Sequence, residues 1–307
     1  MTAVVTIVAA IGARVVAAVA VGTEPPPVMA VLLVECPDQR GLVHAISGVL
    51  FRHGCNVVGN HEFVDSASGR FFMRTEFEGP EVSAIGRQLV AETLEALPVG
   101  AQVRLAPTGP KRIVVLASRE HHCLGDLLIR HQFGGIHARI EAVISNHSVL
   151  GDLVHKFGVP FHHVPTEGED RASHEASVQR ILDGIDPEFL VLAKYMRVLS
   201  PEFVRRYPSR IINIHHSFLP AFIGARPYHQ AFQRGVKVIG ATAHLVTDDL
   251  DAGPILVQQV IPVDHTHAAE DLVRAGRDVE QFTLAQALRL VFEDRVFLAG
   301  NRTVIFD

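Results

Sequence analysis

The chain has 307 residues, 48% of them hydrophobic and 20% charged, a balance that suits a globular enzyme and excludes a disordered chain. Its formal net charge of −5 offers no basic face, which excludes a nucleic-acid binder living on phosphate contacts. Cys36, Cys55 and Cys123 form neither a CxxC pair nor a disulfide framework, which fits a reducing cytoplasm.

Val4 to Gly22 is almost wholly apolar, but Arg14 interrupts it. A central Arg costs about 2.5–3.5 kcal/mol on insertion scales, so a membrane span is not expected. No basic region precedes the apolar run, which speaks against a secretory leader, and Pro25-Pro26-Pro27 ends any helix. Residues 1–28 are expected to be an extension, disordered or preceding a native start at Met29.

Residues 29–106 read as one small domain. Val31 to Cys36 is a short apolar strand, and Pro37 to Gly41 carries turn chemistry. Leu42, Ile46, Val49 and Leu50 then fall at helical spacing. Asn56–Val64 and Arg70–Phe77 read as strands paired around Asp65 to Gly69. A helix over about 82–97 and a strand at Gln102–Leu105 close the unit. The order βαββαβ is the ferredoxin-like split. With Cys36-Pro37-Asp38-Gln39-Arg40-Gly41-Leu42-Val43 and Ile46-Ser47, the segment resembles the ACT domain family. That resemblance implies an amino-acid effector, glycine or methionine, held by Asp38, Gly41 and Leu42. A plain dimerisation module stays open beside it. An exposed sheet edge would pair with its copy, so a homo-oligomer is expected.

Residues 107–111 form a Pro/Gly linker, and from residue 112 to 307 the pattern changes. Ile113–Ala117, Glu141–Ile144, Phe189–Ala193 and Ile211–Ile214 are apolar runs with helical stretches between them. This alternation predicts a Rossmann-like α/β domain, its mostly parallel sheet covered on both faces. Ligands then bind beyond the carboxyl ends of the strands. Ala268 to Phe292 reads as a long amphipathic helix broken only by Gly276.

The chemistry concentrates near the end of the fourth run. Asn213 and His215 are two apart, so on a strand their side chains share a face. A carboxamide can donate to a developing oxyanion, and an imidazole can donate or move a proton near neutral pH. From these residues alone, a polar strand end satisfied by backbone partners is an equal reading. Further on, a strand with His244 runs into Thr247-Asp248-Asp249-Leu250-Asp251, and Gly253-Pro254 turns the chain again. Three carboxylates so close repel one another, so one is expected to face inward and hold an imidazole. The pairs His121-His122, His162-His163 and His215-His216 raise the question of zinc, but no HExxH or Cys/His ligand spacing accompanies them. No metal and no cofactor is expected.

Asn213-Ile214-His215, Leu219-Pro220, His244 and Thr247 through Gly253 together resemble the folate-dependent formyltransferases. The resemblance spans residues 112–307. It implies a catalytic trio of Asn213, His215 and Asp251. It also implies a pterin site formed by Tyr195, Met196, Arg197, Val198 and Leu199, closed by His244, Val246, Thr247 and Leu250.

Transferases acting on a glycinamide ribonucleotide carry a Gly-Ser-rich phosphate cradle after the first strand. Here the stretch is Ser118-Arg119-Glu120-His121-His122-Cys123-Leu124-Gly125, with no early glycine and with Glu120 opposing a phosphate. Water is then the remaining acceptor. An ACT-like unit followed by this domain is similar to the formyltetrahydrofolate deformylases, as are Ser145-Asn146-His147 and Leu192 to Met196. His121 departs from that pattern, where an acidic residue is usual. The resemblance implies hydrolysis of 10-formyltetrahydrofolate to tetrahydrofolate and formate, which balances one-carbon pools and feeds formate to purine biosynthesis. The expected partners are a folate, water and the amino-acid effector. Two competitors are a transferase with an amine acceptor, such as an amino sugar, and an amino-acid sensor that merely binds folate.

Overall fold

The computed structural model describes residues 28–79, 82–106, 109–168, 170–220 and 227–307. The extension expected over 1–28 therefore lies outside the described residues, save Val28, and so do the first two residues of the linker. No described helix is long and apolar enough to cross a membrane.

The N-terminal unit runs β1 (Val28–Pro37), α1 (Leu42–Arg52), β2 (Asn56–Asp65), β3 (Arg70–Gly79), α2 (Val82–Glu95) and β4 (Gln102–Leu105). Its sheet order β2-β3-β1-β4, with every neighbouring pair antiparallel, is the ferredoxin-like arrangement. The periodic residues Leu42, Ile46, Val49 and Leu50 are the buried face of α1. Gly41, at φ +88°, lets the chain leave the turn and enter that helix. β1 begins at Val28, paired with Gly79, one residue before the expected domain start.

The second unit opens with β5 (Lys111–Ala117), α3 (His122–Gln132) and β6 (Ala138–Ser145). It continues through α4 (Gly151–His155), β7 (Phe161–His163), α5 (Arg171–Ile185), β8 (Phe189–Ala193), α6 (Pro201–Arg205) and β9 (Ile211–His215). Then come α7 (Pro227–Arg234), β10 (Val238–Leu245), β11 (Ile255–Pro262), α8 (Ala269–Phe292), β12 (Val296–Ala299) and β13 (Arg302–Ile305). The seven-stranded sheet has the order β11-β10-β9-β8-β5-β6-β7. β7, β6, β5, β8 and β9 are parallel, and β10 and β11 add an antiparallel edge. Two apolar layers cover the sheet. One gathers α3 and α8, the other α5 and α6. Burial on both faces is why these strands read as unbroken apolar runs. Lys111 pairs with Ala138, so the strand starts inside the expected linker.

α8 is continuous, contrary to the expected break at Gly276. A Cβ at Gly276 would lie 2.1 Å from the Tyr228 ring, so this glycine makes room for a packed tyrosine rather than interrupting a helix.

The β12–β13 hairpin escapes the periodicity reading because its strands are only four residues each. It packs Phe297 and Phe306 against Leu33 and Phe72, on the sheet face of the N-terminal unit opposite its helices. That explains why β3 lacks an exposed face. Asp294 fastens the two units, accepting from Lys111 Nζ and from Arg104, each at 2.8 Å. Buried Arg74 donates to the carbonyls of Glu293 and Asp294, each at 3.0 Å.

Candidate active site

Strand β9 ends on its open, carboxyl edge with Asn213 and His215, whose side chains fall on one face as their spacing requires. β10 runs antiparallel beside it and sets His244 opposite Asn213. The chain then turns through residues 246–254 and brings Asp251 back over both. Gly253 makes that return possible. A Cβ there would sit 1.9 Å from the Leu245 carbonyl oxygen, which shows how closely the loop crosses the strand. Leu245 N–H donates to Pro254 O at 2.9 Å and Val246 N–H to Ile211 O at 2.9 Å, pinning both ends of the turn. Asp251 adopts φ +53°, the left-handed region, where Asp is among the few side chains tolerated.

Of the three loop carboxylates, Asp251 is the one facing inward. Its Oδ2 lies 3.3 Å from His215 Nδ1 and its Oδ1 3.6 Å from His244 Nε2. Asp248 reaches outward to Arg205. The contact with His215 above all holds the Asp251 carboxyl well below the usual carboxylate range, against the opposing pull of burial. It is therefore an anion at every working pH.

The hydrogen bonds fix the orientation of Asn213. His244 Nδ1 lies 2.9 Å from the Leu245 carbonyl oxygen, which only accepts, so that nitrogen carries the proton. In neutral His244, Nε2 is then the acceptor, and Asn213 Nδ2 donates to it at 3.2 Å. One amide N–H is thereby used, and the second remains for a ligand in the cavity. His244 is itself only 2% exposed and acts by holding Asn213. His215 Nε2 is buried and lacks a partner among the described residues, while its ring stacks on His216 at 5.0 Å.

A cavity of about 310 Å³ opens over this group. Asn213, His215 and Asp251 line it, together with Tyr195, Met196, Arg197, Val198, Leu199, His244, Val246, Thr247 and Leu250. All the catalytic and folate-side residues expected from the sequence thus meet at one site. The residues expected to hold an effector, Asp38, Gly41 and Leu42, stand apart from it, at the β1–α1 turn. There Asp38 N–H donates to Gly69 O, and the Leu42 side chain is buried in the core.

Several residues escaped the sequence reading. Lys194, at φ +60°, lines the cavity and reaches Glu280 on α8 at 3.0 Å. Glu280 also meets His122 Nε2 at 2.7 Å and accepts from Tyr228 Oη at 2.7 Å. Burial opposes its charge, but His122 and Lys194 prevail and hold its carboxyl down to about 2. The available signals were a lysine directly after the apolar run 189–193 and a glutamate on the apolar stripe of α8. His122, Cys123 and Glu280 lie close enough to share a metal ion. They do not suit one. The lysine ammonium already sits on the glutamate oxygen that His122 meets, and burial pushes the Cys123 thiol far above its usual range.

The loop over residues 195–200 is held from α5, which the sequence reading also missed. His174 Nε2 accepts from Tyr195 Oη at 2.9 Å, its Nδ1 facing the Pro165 carbonyl oxygen. Glu175 accepts from Ser200 N–H at 2.7 Å and from Ser200 Oγ.

Residues 111–288 match the formyl transferase family and residues 30–96 the ACT domain family. The chain is 55% identical over 275 residues to the formyltetrahydrofolate deformylase of Escherichia coli (strain K12), covering 90% of this chain and 97% of the relative. The crystal structure of a formyltetrahydrofolate deformylase from Pseudomonas syringae pv. tomato superposes with a TM-score of 0.86 at 40% identity, over 93% of this chain and 96% of that one. A glycinamide ribonucleotide transformylase from Symbiobacterium toebii matches with a TM-score of 0.62 at 33% identity, over 66% of this chain and 96% of that one. With both units matched in order and near-complete mutual coverage, the chain belongs to the formyltetrahydrofolate deformylase family.

Proposed function

We propose that the protein hydrolyses 10-formyltetrahydrofolate to tetrahydrofolate and formate, with Asn213, His215 and Asp251 as its catalytic residues. The observation that carries this is the meeting of a fixed carboxamide donor, an imidazole and a permanently ionised carboxylate at one cavity wall. The pterin lies between Tyr195 to Leu199 and Val246 to Leu250, with the N10-formyl group near Asn213. Asp251 accepts a hydrogen bond from the attacking water and orients it. A carboxylate held so far below its usual range is a poor final acceptor, so the proton passes to His215, whose cation Asp251 stabilises. Attack on the formyl carbon forms a C–O bond and an oxyanion, which takes the free N–H of Asn213. One such donor is worth about 2.7–4 kcal/mol. Collapse breaks the C–N10 bond, N10 takes the proton held by His215, and the product leaves as formic acid, which ionises to formate in water.

Water as acceptor is favoured by the β5–α3 turn. Glu120 is held by Arg277 at 3.0 Å, His122 by Glu280, and the His122 carbonyl by Gln281 at 2.9 Å. Helix α8 thus clamps the place where a phosphate cradle would have to open. Purified protein with 10-formyltetrahydrofolate alone should release formate and tetrahydrofolate in equal amounts. Formylation of an added amine with no formate in its absence would make it a transferase; folate binding without turnover would make it a sensor.

The reaction needs no metal or cofactor in this scheme. The N-terminal unit takes an amino-acid effector, glycine or methionine, at Asp38, Gly41 and Leu42. Its exposed β2 edge supports assembly into a homo-oligomer, and three cysteines without a disulfide framework support a cytoplasmic site of action. Titrating each amino acid into the formate assay tests the effector, and no response to either would leave the unit an assembly module.

A further inference from the structure

A second cavity, of about 390 Å³, opens at the carboxyl ends of β5, β6 and β7. Arg119, Asn146, His147, His163 and Glu167 supply its polar groups. Among the described residues no carboxylate pairs with the Arg119 guanidinium. Asn146 is 8% exposed, and its orientation is determined. Ser118 Oγ accepts from Met196 N–H at 3.0 Å, so its own proton goes to Asn146 Oδ1, at 2.7 Å. That leaves the Asn146 Nδ2 group for the cavity, with no partner among the described residues. The wall behind it is stitched together. Ser145 Oγ donates to Ser118 O at 3.1 Å and accepts from His147 N–H at 3.1 Å. A fixed, buried amide donor beside an uncommitted guanidinium is a preformed seat for a carboxylate.

Buried Ser118 stands in the wall between the two cavities, its hydroxyl accepting from Met196 N–H on one side and donating to Asn146 on the other. In the sheet, His215 on β9 and Asn146 after β6 are separated by β8 and β5, three strand spacings, or about 14 Å. A p-aminobenzoyl ring followed by a glutamyl unit is of that order. Glu167 adds a selection. It opposes a bare polyanion such as phosphate but can accept from an amide N–H, and a γ-linked glutamyl chain alternates carboxylates with amides. Burial, and then the Arg119 charge, hold His147 below its ordinary value, so it donates here without adding a cation.

Resting on the deformylase reading, we propose that this cavity is the subsite for the carboxylates of the substrate's γ-glutamyl chain, with Arg119 and Asn146 as its anchors. The test is binding of tetrahydrofolate carrying one or three glutamyl residues, by titration calorimetry, to the wild type and to Arg119→Gln. The substitution is at an exposed side chain with no carboxylate partner among the described residues. The wild type should bind the triglutamyl form about tenfold more tightly. Arg119→Gln should lose that advantage, the triglutamyl and monoglutamyl forms then binding alike. The same advantage in both proteins, or none in the wild type, overturns the proposal. Binding of free glycine, methionine or glutamate to the wild type, lost in Arg119→Gln, would also overturn it by assigning the seat to a free amino acid. Absence of formate release from the monoglutamyl substrate would instead remove the deformylase reading, while the tail-dependent binding remains separately measurable.

Discussion

His215 Nδ1 faces Asp251 Oδ2 at 3.3 Å across the end of β9, although 35 residues separate them in the chain. The contact gives the imidazole one fixed direction and keeps the carboxylate ionised. Asp251→Asn keeps the shape but removes the charge that stabilises the imidazolium, so turnover should fall by roughly 10²–10⁴-fold. Tetrahydrofolate affinity should change little. Rapid-quench formate assays alongside calorimetry check both, and near-normal kcat in the variant would remove Asp251 from the mechanism.

Gly253 lies where the Asp251 loop crosses β10, with the Leu245 carbonyl oxygen 1.9 Å from where its Cβ would be. Gly253→Ala must push the loop away from the strand. A displacement near 1 Å at a catalytic group can cost on the order of 10²-fold. A cooperative melt with turnover down by about that factor is expected. Wild-type turnover would mean that the loop relaxes elsewhere.

Glu280 supports the site from below, and its pH dependence has a definite sign. Its folded carboxyl is held down to about 2, against about 4.3 unfolded. The stability it contributes is fully present above about pH 4.3 and is lost as the pH falls towards 2. Breaking a buried charge network costs about 3–5 kcal/mol. Glu280→Gln should therefore lower the urea midpoint at pH 7 and flatten the decline in stability between those two pH values. An unchanged acid slope would show that other carboxylates carry it.

His174 and Glu175, adjacent on α5, hold Tyr195 and Ser200 at the two ends of the 195–200 loop. Hydrogen bonds to a charged group are worth about 1.5–3 kcal/mol. Glu175→Ala should thus raise KM about tenfold while kcat changes far less, because the loop binds the substrate equally before and during reaction. Glu175→Gln should recover part of the loss, since its amide oxygen still accepts from Ser200. A fall in kcat at constant KM would place Glu175 in the chemical step instead.

Sequence periodicity alone determined most of the architecture. Apolar runs of five residues, such as Phe189–Ala193, became doubly covered parallel strands, and Leu42, Ile46, Val49 and Leu50 became the inner face of α1. The Asn213–His215 pairing on one face was equally legible, because strand geometry is local and repeats every two residues. Tertiary structure decided the rest. Which of Asp248, Asp249 and Asp251 turns inward depends on a glycine crossing a strand. The Gly276 position reads as a helix break until Tyr228 is packed against it. Lys194 and Glu280, 86 residues apart, have no shared local pattern, and neither do Arg119 and Asn146. Such contacts arise only when distant segments are brought together in the core. There an uncompensated charge is so costly that its partner is dictated by three-dimensional proximity rather than by spacing in the chain.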